Sequence, residues 1–382
     1  MTELVALDLD PGVDFLAALD AAWQRGDAVL PLQRQAPESH RRSVASRMGA
    51  RWLVTMAGSE ELRGSRPLAR GDALVMTTSG TTGAPKGAVL THEAVEYSAY
   101  ATATSLGTDP ETHWLACLPL SHVGGMSVIT RALHTGAELT VQPRFDPDLL
   151  ARALHCGATH VSLVHTALRR IDPAPWRRIL LGGSAVPPDL PPNCVATYGM
   201  TETFGGVVYD GLPLNGVEVR IAGTRGGEFD VEGPVELLSP TALRCYRGDR
   251  NEPEQDALDA EGWFRTGDLG YISGIDRRLW ITGRANELII TGGEKVWPIP
   301  VEARLEAHPG VAEAAVVGRV DAEWGQAVTA LVVPAAPADP PGLQELRNWV
   351  REVMPPAAAP RTLELVDRLP RTSLGKLVRS QL

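Results

Sequence analysis

The strongest constraint on how this chain can fold lies at Val75-Met76-Thr77-Thr78-Ser79-Gly80-Thr81-Thr82-Gly83-Ala84-Pro85-Lys86-Gly87. Ala73-Leu74-Val75-Met76 is an apolar run of strand length. It predicts a buried strand feeding a loop of hydroxyls and glycines closed by one lysine. Thr91-His92-Glu93-Ala94 then opens a helical pattern, with Thr91 in the N-cap position. Glycines let backbone N–H groups converge, hydroxyls surround the same space, and one ammonium adds a mobile positive charge. Together they make a polyphosphate cradle, with Thr78, Ser79, Gly80, Thr81, Thr82, Gly83 and Lys86 as the expected contacts. It is not a Walker A loop, which needs Gly-Lys followed by Ser or Thr; here Pro85 precedes Lys86 and Gly87 follows it. Ser/Thr/Gly runs also serve as linkers. A strand entering the loop, with proline and lysine at fixed places in it, argues against that plainer use.

At 382 residues, two folding units are the natural division. The 38 glycines and 30 prolines exceed the usual share and fit a loop-rich enzyme better than a helical bundle. A net charge of −10 excludes bulk attraction to nucleic acid or an anionic membrane, so an anionic nucleotide must be held by local groups. Cys117, Cys156, Cys194 and Cys245 form no CxxC pair and are expected to be reduced thiols. Met1-Thr2-Glu3-Leu4 lacks the start of a signal peptide, and no segment approaches 18 apolar residues in a row. A soluble, cytoplasmic protein is expected.

Residues 1–70 show helical patches at Phe15–Leu19 and His40–Val44 and no chemical motif. From 71 to about 240, strand-length apolar runs such as Trp114–Leu118, Glu138–Val141 and Arg178–Leu181 alternate with helical stretches, which predicts α/β layers. Residues 215–282 read as short strands with glycine turns. Beyond 284, helices at Pro298–Glu302 and Leu343–Val353 and strands at Val311–Val317 and Val328–Val333 predict a compact α+β unit.

Several further stretches carry chemistry. In Leu118-Pro119-Leu120-Ser121-His122-Val123-Gly124-Gly125-Met126, a strand end followed by His122 and two glycines suits a ring approaching a bound substrate; a hydrogen-bonded core histidine is the plain alternative. Arg131, in an otherwise apolar segment, is either an exposed helix arginine or a guanidinium facing a second carboxylate on the substrate, which its planar fork suits. Leu181-Gly182-Gly183-Ser184-Ala185 and Ala196-Thr197-Tyr198-Gly199-Met200-Thr201-Glu202 each follow a strand. Gly183 and Gly199 let backbone approach a flat base, Tyr198 offers a stacking face and Thr201 can bond an α-phosphate. Glu202 is a hard oxygen ligand suited to Mg²⁺. Asp268 sits between glycines in an expected turn, where a simple Asx-turn is the alternative. Lys376, taken alone, is a solvated lysine near the C-terminus.

In this order, from 77 to 379, the motifs resemble the adenylate-forming superfamily of acyl- and aryl-CoA ligases, peptide-synthetase adenylation domains and beetle luciferases. The resemblance implies that the first loop holds the β- and γ-phosphates of ATP while a carboxylate attacks the α-phosphorus. It implies that His122 and Gly125 lie beside the acyl pocket, and that Gly183, Ser184 and Thr197 to Thr201 contact the nucleotide. It makes Glu202 the magnesium ligand, Asp268 a clamp on the ribose hydroxyls, and Arg284 a second group reaching the ribose. Asn286 falls at the hinge, where the family usually carries Asp or Lys. Gly292 and Gly293 would line the pantetheine tunnel, and Lys376 is the adenylation lysine.

The implied fold is α/β: a large N-terminal layered α/β adenylating domain over 1–284, trimmed at its N-terminus relative to the family, and a small mobile α+β C-terminal domain over 285–382. The implied reactants are a small-molecule carboxylic acid, ATP with Mg²⁺, and coenzyme A. Nucleic acid binding and membrane insertion are not expected, and a homodimer is compatible with the sequence. Within the superfamily, the short length, Leu118–Met126, Arg131 and Gly205-Gly206-Val207-Val208-Tyr209-Asp210-Gly211 resemble the o-succinylbenzoate–CoA ligases of menaquinone biosynthesis, whose substrate bears a second, unactivated carboxylate. Another aryl- or fatty-acyl-CoA ligase is the alternative. An amino-acid adenylation protein fits less well, because Ser121-His122-Val123-Gly124 offers no aspartate for an α-amino group. A non-catalytic nucleotide binder is opposed by the intact Lys86, Glu202, Asp268 and Lys376.

Overall fold

The computed structural model describes residues 2–78, 86–183, 189–224, 228–249, 251–371 and 377–382. Ser79 to Gly83, Ser184 and Lys376 lie outside them.

Residues 1–70, in which the periodicity shows only helices, supply strands as well. β1 (Leu4–Asp8), β2 (Ala28–Pro31) and β3 (Trp52–Thr55) run parallel, with α1 (Val13–Gln24) and α2 (Glu38–Arg47) as the crossovers. Every residue of β1 and β2 is buried, as expected of parallel strands covered on both faces. Such strands show no alternation, and these are too short for an apolar run to stand out in the sequence. α1 is legible because Phe15, Leu19 and Ala22 recur at helical spacing and are its buried face. With β4 (Gly58–Glu61), β5 (Asp72–Thr78) and β6 (Lys86–Thr91), these strands build a seven-stranded sheet whose far edge is Cys245–Arg247, contributed from much later in the chain. Its core gathers Leu4, Leu30, Met48, Leu53, Val75 and Val89.

The second seven-stranded sheet follows the expected alternation. α3 (His92–Leu106), β7 (His113–Ala116), α4 (Val123–Thr135), β8 (Glu138–Val141), α5 (Pro147–His155), β9 (His160–Val164), α6 (His165–Leu168), β10 (Arg178–Gly182) and β11 (Cys194–Met200) come in turn. β12 (Gly205–Tyr209) and β13 (Leu212–Pro213) close it, in the order β13-β12-β11-β10-β9-β7-β8. The pairs from β8 to β11 are parallel and those to β12 and β13 antiparallel.

β14 (Glu218–Ile221), β15 (Gly233–Leu238), β17 (Phe264–Ile272) and β18 (Leu279–Arg284) form a small sheet, while β16 is the edge strand Cys245–Arg247 already met. The C-terminal residues form a further sheet of β19 (Ile289–Thr291), β20 (Glu294–Val296), β21 (Val311–Asp321), β22 (Gly325–Pro334) and β23 (Thr362–Leu365). α7 (Pro298–Glu306) and α8 (Leu343–Arg351) pack with it through Val301, Leu305, Leu346 and Val350. By packing, the chain divides into two compact units, residues 1–219 with 237–264 and residues 220–236 with 265–382. Among the described residues no helix is long and apolar enough to cross a membrane.

Candidate active site

Thr78 and Lys86 are cross-strand partners at the ends of β5 and β6, which pair antiparallel. Thr91 caps α3 as its sequence position predicts, accepting the Ala94 N–H at 3.1 Å. Gly87 is required by packing, since a Cβ there would stand 2.5 Å from Val75 Cγ1. The Lys86 ammonium donates to Gln255 Oε1 at 3.1 Å and lies 5.6 Å from the centroid of the Tyr246 ring. The Tyr246 hydroxyl in turn donates to Glu202 Oε1 at 2.8 Å. The predicted lysine and the predicted magnesium ligand are thus joined through one tyrosine. Nothing in the reading of 215–282 singled that residue out; its signal is register, because β16 pairs with β6 and sets Tyr246 opposite Ala88.

Thr197 to Met200 lie within β11 itself rather than after a strand, and Thr201 and Glu202 occupy the 3-10 turn that follows. Thr197 donates its hydroxyl to the Leu181 carbonyl at 3.1 Å, and the Met200 N–H donates to Thr203 Oγ1 at 3.1 Å. Tyr198 pairs with Val208 on β12, with a bulge between Tyr198 and Gly199. The reason for glycine at 199 is not a bound base: a Cβ would fall 1.9 Å from the Gly205 carbonyl oxygen, so β12 occupies that space. Gly183 has φ +89, a left-handed value that explains its identity independently of any ligand. Among the described residues no three His, Cys, Asp or Glu cluster to hold a cation by themselves. One carboxylate, Glu202, already fixed through one oxygen, fits Mg²⁺, which keeps waters and takes substrate phosphates as ligands.

His122 is the N-cap residue of α4, and burial pushes its imidazole below the ordinary value, leaving the ring neutral at pH 7. Gly125 is forced by the chain's own path, since a Cβ would stand 2.5 Å from the Leu118 and Pro119 carbonyl oxygens. Arg131 is not an exposed helix arginine; it is 5% exposed. Its guanidinium donates to Ser127 Oγ at 2.9 Å and Ser162 Oγ at 3.2 Å, and lies 5.3 Å from the Trp114 ring centroid. Its Nε has no hydrogen-bond partner, and among the described residues no carboxylate pairs with it. Burial holds its pKa below that of a free guanidinium. Ser127 stands one helical turn before Arg131 and could have been read from the i, i+4 spacing. Ser162 and Trp114 come from β9 and β7 and had no local signal.

In the second unit, Asp268 and Arg284 face each other across β17 and β18, with Nε to Oδ1 at 3.1 Å. Asp268 therefore stands in a strand, not in the expected turn. Gly267 has φ +76, and the ladder is bulged between Leu269 and Gly270, which gives the sequence its turn-like glycines. Gly292 and Gly293 (φ +59 and +85) are the two-residue turn of the β19–β20 hairpin, where both central residues need positive φ. Asn286 is the middle residue of a 3-10 turn, and its neighbour Glu287 pairs with Arg379 at 3.0 Å.

Residues 65–246 match the AMP-binding enzyme family, and residues 300–376 match the AMP-binding enzyme C-terminal domain. The chain is 40% identical over 332 residues to a probable 2-succinylbenzoate–CoA ligase of Mycobacterium tuberculosis, covering 81% of this chain and 83% of that one. It is 35% identical over 340 residues to a 2-succinylbenzoate–CoA ligase of Bacillus licheniformis, covering 81% and 69%. Among solved structures, o-succinylbenzoate CoA synthetase of Bacillus subtilis in complex with its acyl-adenylate intermediate aligns with a TM-score of 0.86 at 28% identity, over 99% of this chain and 87% of that one. The same enzyme with ATP and a magnesium ion gives 0.85 at 28% identity, over 100% and 89%.

Proposed function

Because this chain belongs to the AMP-binding enzyme family, we propose that it is an ATP-dependent, AMP-forming 2-succinylbenzoate–CoA ligase of menaquinone biosynthesis. It acts in the cytoplasm on small molecules, and a homodimer is the assembly that goes with this reading. Arg131 carries the choice of acid. A buried cation without a counter-ion is costly, and a second carboxylate on the ligand would relieve that cost. A fatty acid or a simple benzoate brings one carboxylate, which the reaction consumes.

In the first step the acid's reacting carboxylate oxygen forms a bond to the α-phosphorus, and the bond to the bridging oxygen of pyrophosphate breaks. Thr78 to Gly83 and Lys86 hold the β- and γ-phosphates. Tyr198 stacks on adenine beside Gly183 and Ser184, Thr201 donates to an α-phosphate oxygen, and Asp268 accepts from the ribose hydroxyls with Arg284 beside it. Glu202 would hold Mg²⁺, which when bound draws charge off the phosphate oxygens. His122, neutral, borders the acyl pocket without adding charge. Lys376 balances the charge building on the α-phosphate and on the attacking oxygen. In the second step the thiol of coenzyme A displaces AMP. The domain over 285–382 swivels about Asn286 against the domain over 1–284, withdrawing Lys376 and presenting Gly292 and Gly293 to the thiol.

The test is pyrophosphate release and thiol consumption by the full chain with Mg·ATP, coenzyme A and a panel of acids. A site built around a buried polar group should favour 2-succinylbenzoate over benzoates and fatty acids by about 100-fold or more in kcat/KM. Comparable turnover of a monocarboxylic acid would replace the substrate reading. Release with no acid in the panel would end the ligase reading.

A further inference from the structure

We propose that Tyr246 positions the metal–nucleotide grip, its hydroxyl aiming the Glu202 carboxylate while its ring face holds the Lys86 ammonium. The inference rests on the nucleotide-binding part of the reading above and assigns a residue which that reading leaves without a role. The phenol oxygen stands 2.8 Å from Glu202 Oε1, and the Lys86 Nζ stands 5.6 Å from the ring centroid, within cation–π range. An acid and a base in the same site would otherwise quench each other as an ion pair. Each here has a different partner on one rigid side chain, which leaves both charges available to a ligand.

The strand that carries Tyr246 is anchored far more heavily than an edge strand of three residues requires. Side chains alternate along β16, so Cys245 and Arg247 turn away from Tyr246 and into the core, 2% and 0% exposed. Arg247 donates to the carbonyls of Met48 at 2.7 Å and Pro67 at 3.3 Å, to that of Arg66, and to Glu254 Oε1 at 3.2 Å. Burial first, then the neighbouring Arg66, pushes its pKa down to about 10. Arg244 grips both oxygens of buried Asp72 at 2.8 Å and reaches Glu254 at 3.0 Å. The Cys245 thiol donates to that same Glu254. Next to Glu254, Gln255 exchanges backbone hydrogen bonds with Tyr246 at 2.8 and 2.9 Å and offers its Oε1 to Lys86. The network thus fixes Tyr246 and Gln255, both of which touch Lys86.

The experiment uses the full chain with α,β-methylene-ATP, which binds but does not react, and follows thermal stabilisation as Mg²⁺ is titrated. Tyr246→Phe keeps the ring and its packing and removes the hydroxyl. The Mg²⁺ concentration for half-maximal stabilisation should rise about 10-fold or more, as expected on losing one hydrogen bond to a charged group, with the ligand-free melting temperature unchanged. Glu202→Gln and the double variant Glu202→Gln/Tyr246→Phe should share one Mg²⁺ requirement, because the hydroxyl acts through the carboxylate. Tyr246→Leu should in addition weaken the analogue without metal by about 3-fold, through the freed Lys86. A Tyr246→Phe variant with the wild-type Mg²⁺ requirement, or one whose full effect persists in Glu202→Gln, overturns the proposal. A lower ligand-free melting temperature alone would assign Tyr246 a structural role instead. Failure of the wild type to respond to Mg²⁺ and the analogue would sink the nucleotide reading itself, and this inference with it.

Discussion

Replacing Arg131 by methionine should cost activity without costing stability. Methionine fills a similar length without a charge. In the free protein the guanidinium has two serine hydroxyls and an indole face as partners and no partner at Nε. Those two hydrogen bonds and the ring contact are worth about 1 kcal/mol each. Keeping an unpaired cation out of water costs several kcal/mol. The balance predicts an unfolding free energy equal to wild type or about 1 kcal/mol higher. With substrate bound the ledger reverses, because a buried carboxylate is then left without its cation. That loss is about 3 kcal/mol, roughly 150-fold in kcat/KM for 2-succinylbenzoate. An analogue in which hydrogen replaces the second carboxylate should be turned over by wild type and variant within about 3-fold of each other. Pyrophosphate release by both proteins on both acids, with urea unfolding of each protein, gives the comparison. Equal losses on the two acids, or destabilisation by more than about 3 kcal/mol, would mean that Arg131 serves the fold. Unchanged turnover of 2-succinylbenzoate in Arg131→Leu would likewise remove it as the anchor.

Two further outcomes are expected. Lys376→Ala should slow adenylation by about 10²- to 10³-fold while leaving thiolation of a supplied acyl-adenylate near wild type, and equal loss in both half-reactions would count against a two-conformation mechanism. His160, 2% exposed and packed against Trp114, has its pKa pushed down to about 4, first by burial and then by Arg177 and Arg178. Below pH 6.5 the unfolded chain binds a proton that the folded one refuses. Stability should therefore fall by up to about 3 kcal/mol between pH 6.5 and 4, with no further loss from this group below that, and His160→Gln should flatten that limb.

What the sequence discloses and what it withholds divide along a physical line. β5 and α3 are legible because their signals are local: an apolar run of strand length, and a threonine that caps the next helix. The same holds for α7, α8, β21 and β22. β1 and β2 are silent in the sequence because short strands buried on both faces carry no period. At Asp268 the sequence points to a turn because positive-φ glycine and a bulge look alike in sequence, whether the chain reverses or merely kinks.

The chemical groups of the candidate site could be named from the sequence, but the restraints on them could not. Lys86 is held by Gln255, 169 residues away, and Arg244 by Asp72, 172 residues away. Glycine shows the same split. Gly199 and Gly125 lie in motifs that invite a ligand-based explanation, yet the atoms that would strike their added Cβ belong to the protein's own backbone. A glycine in such a motif is therefore evidence that backbone comes close, and the structure must say whose. At Gly199 that backbone is β12, so the turn presenting Thr201 and Glu202 is aimed by sheet pairing before any nucleotide arrives.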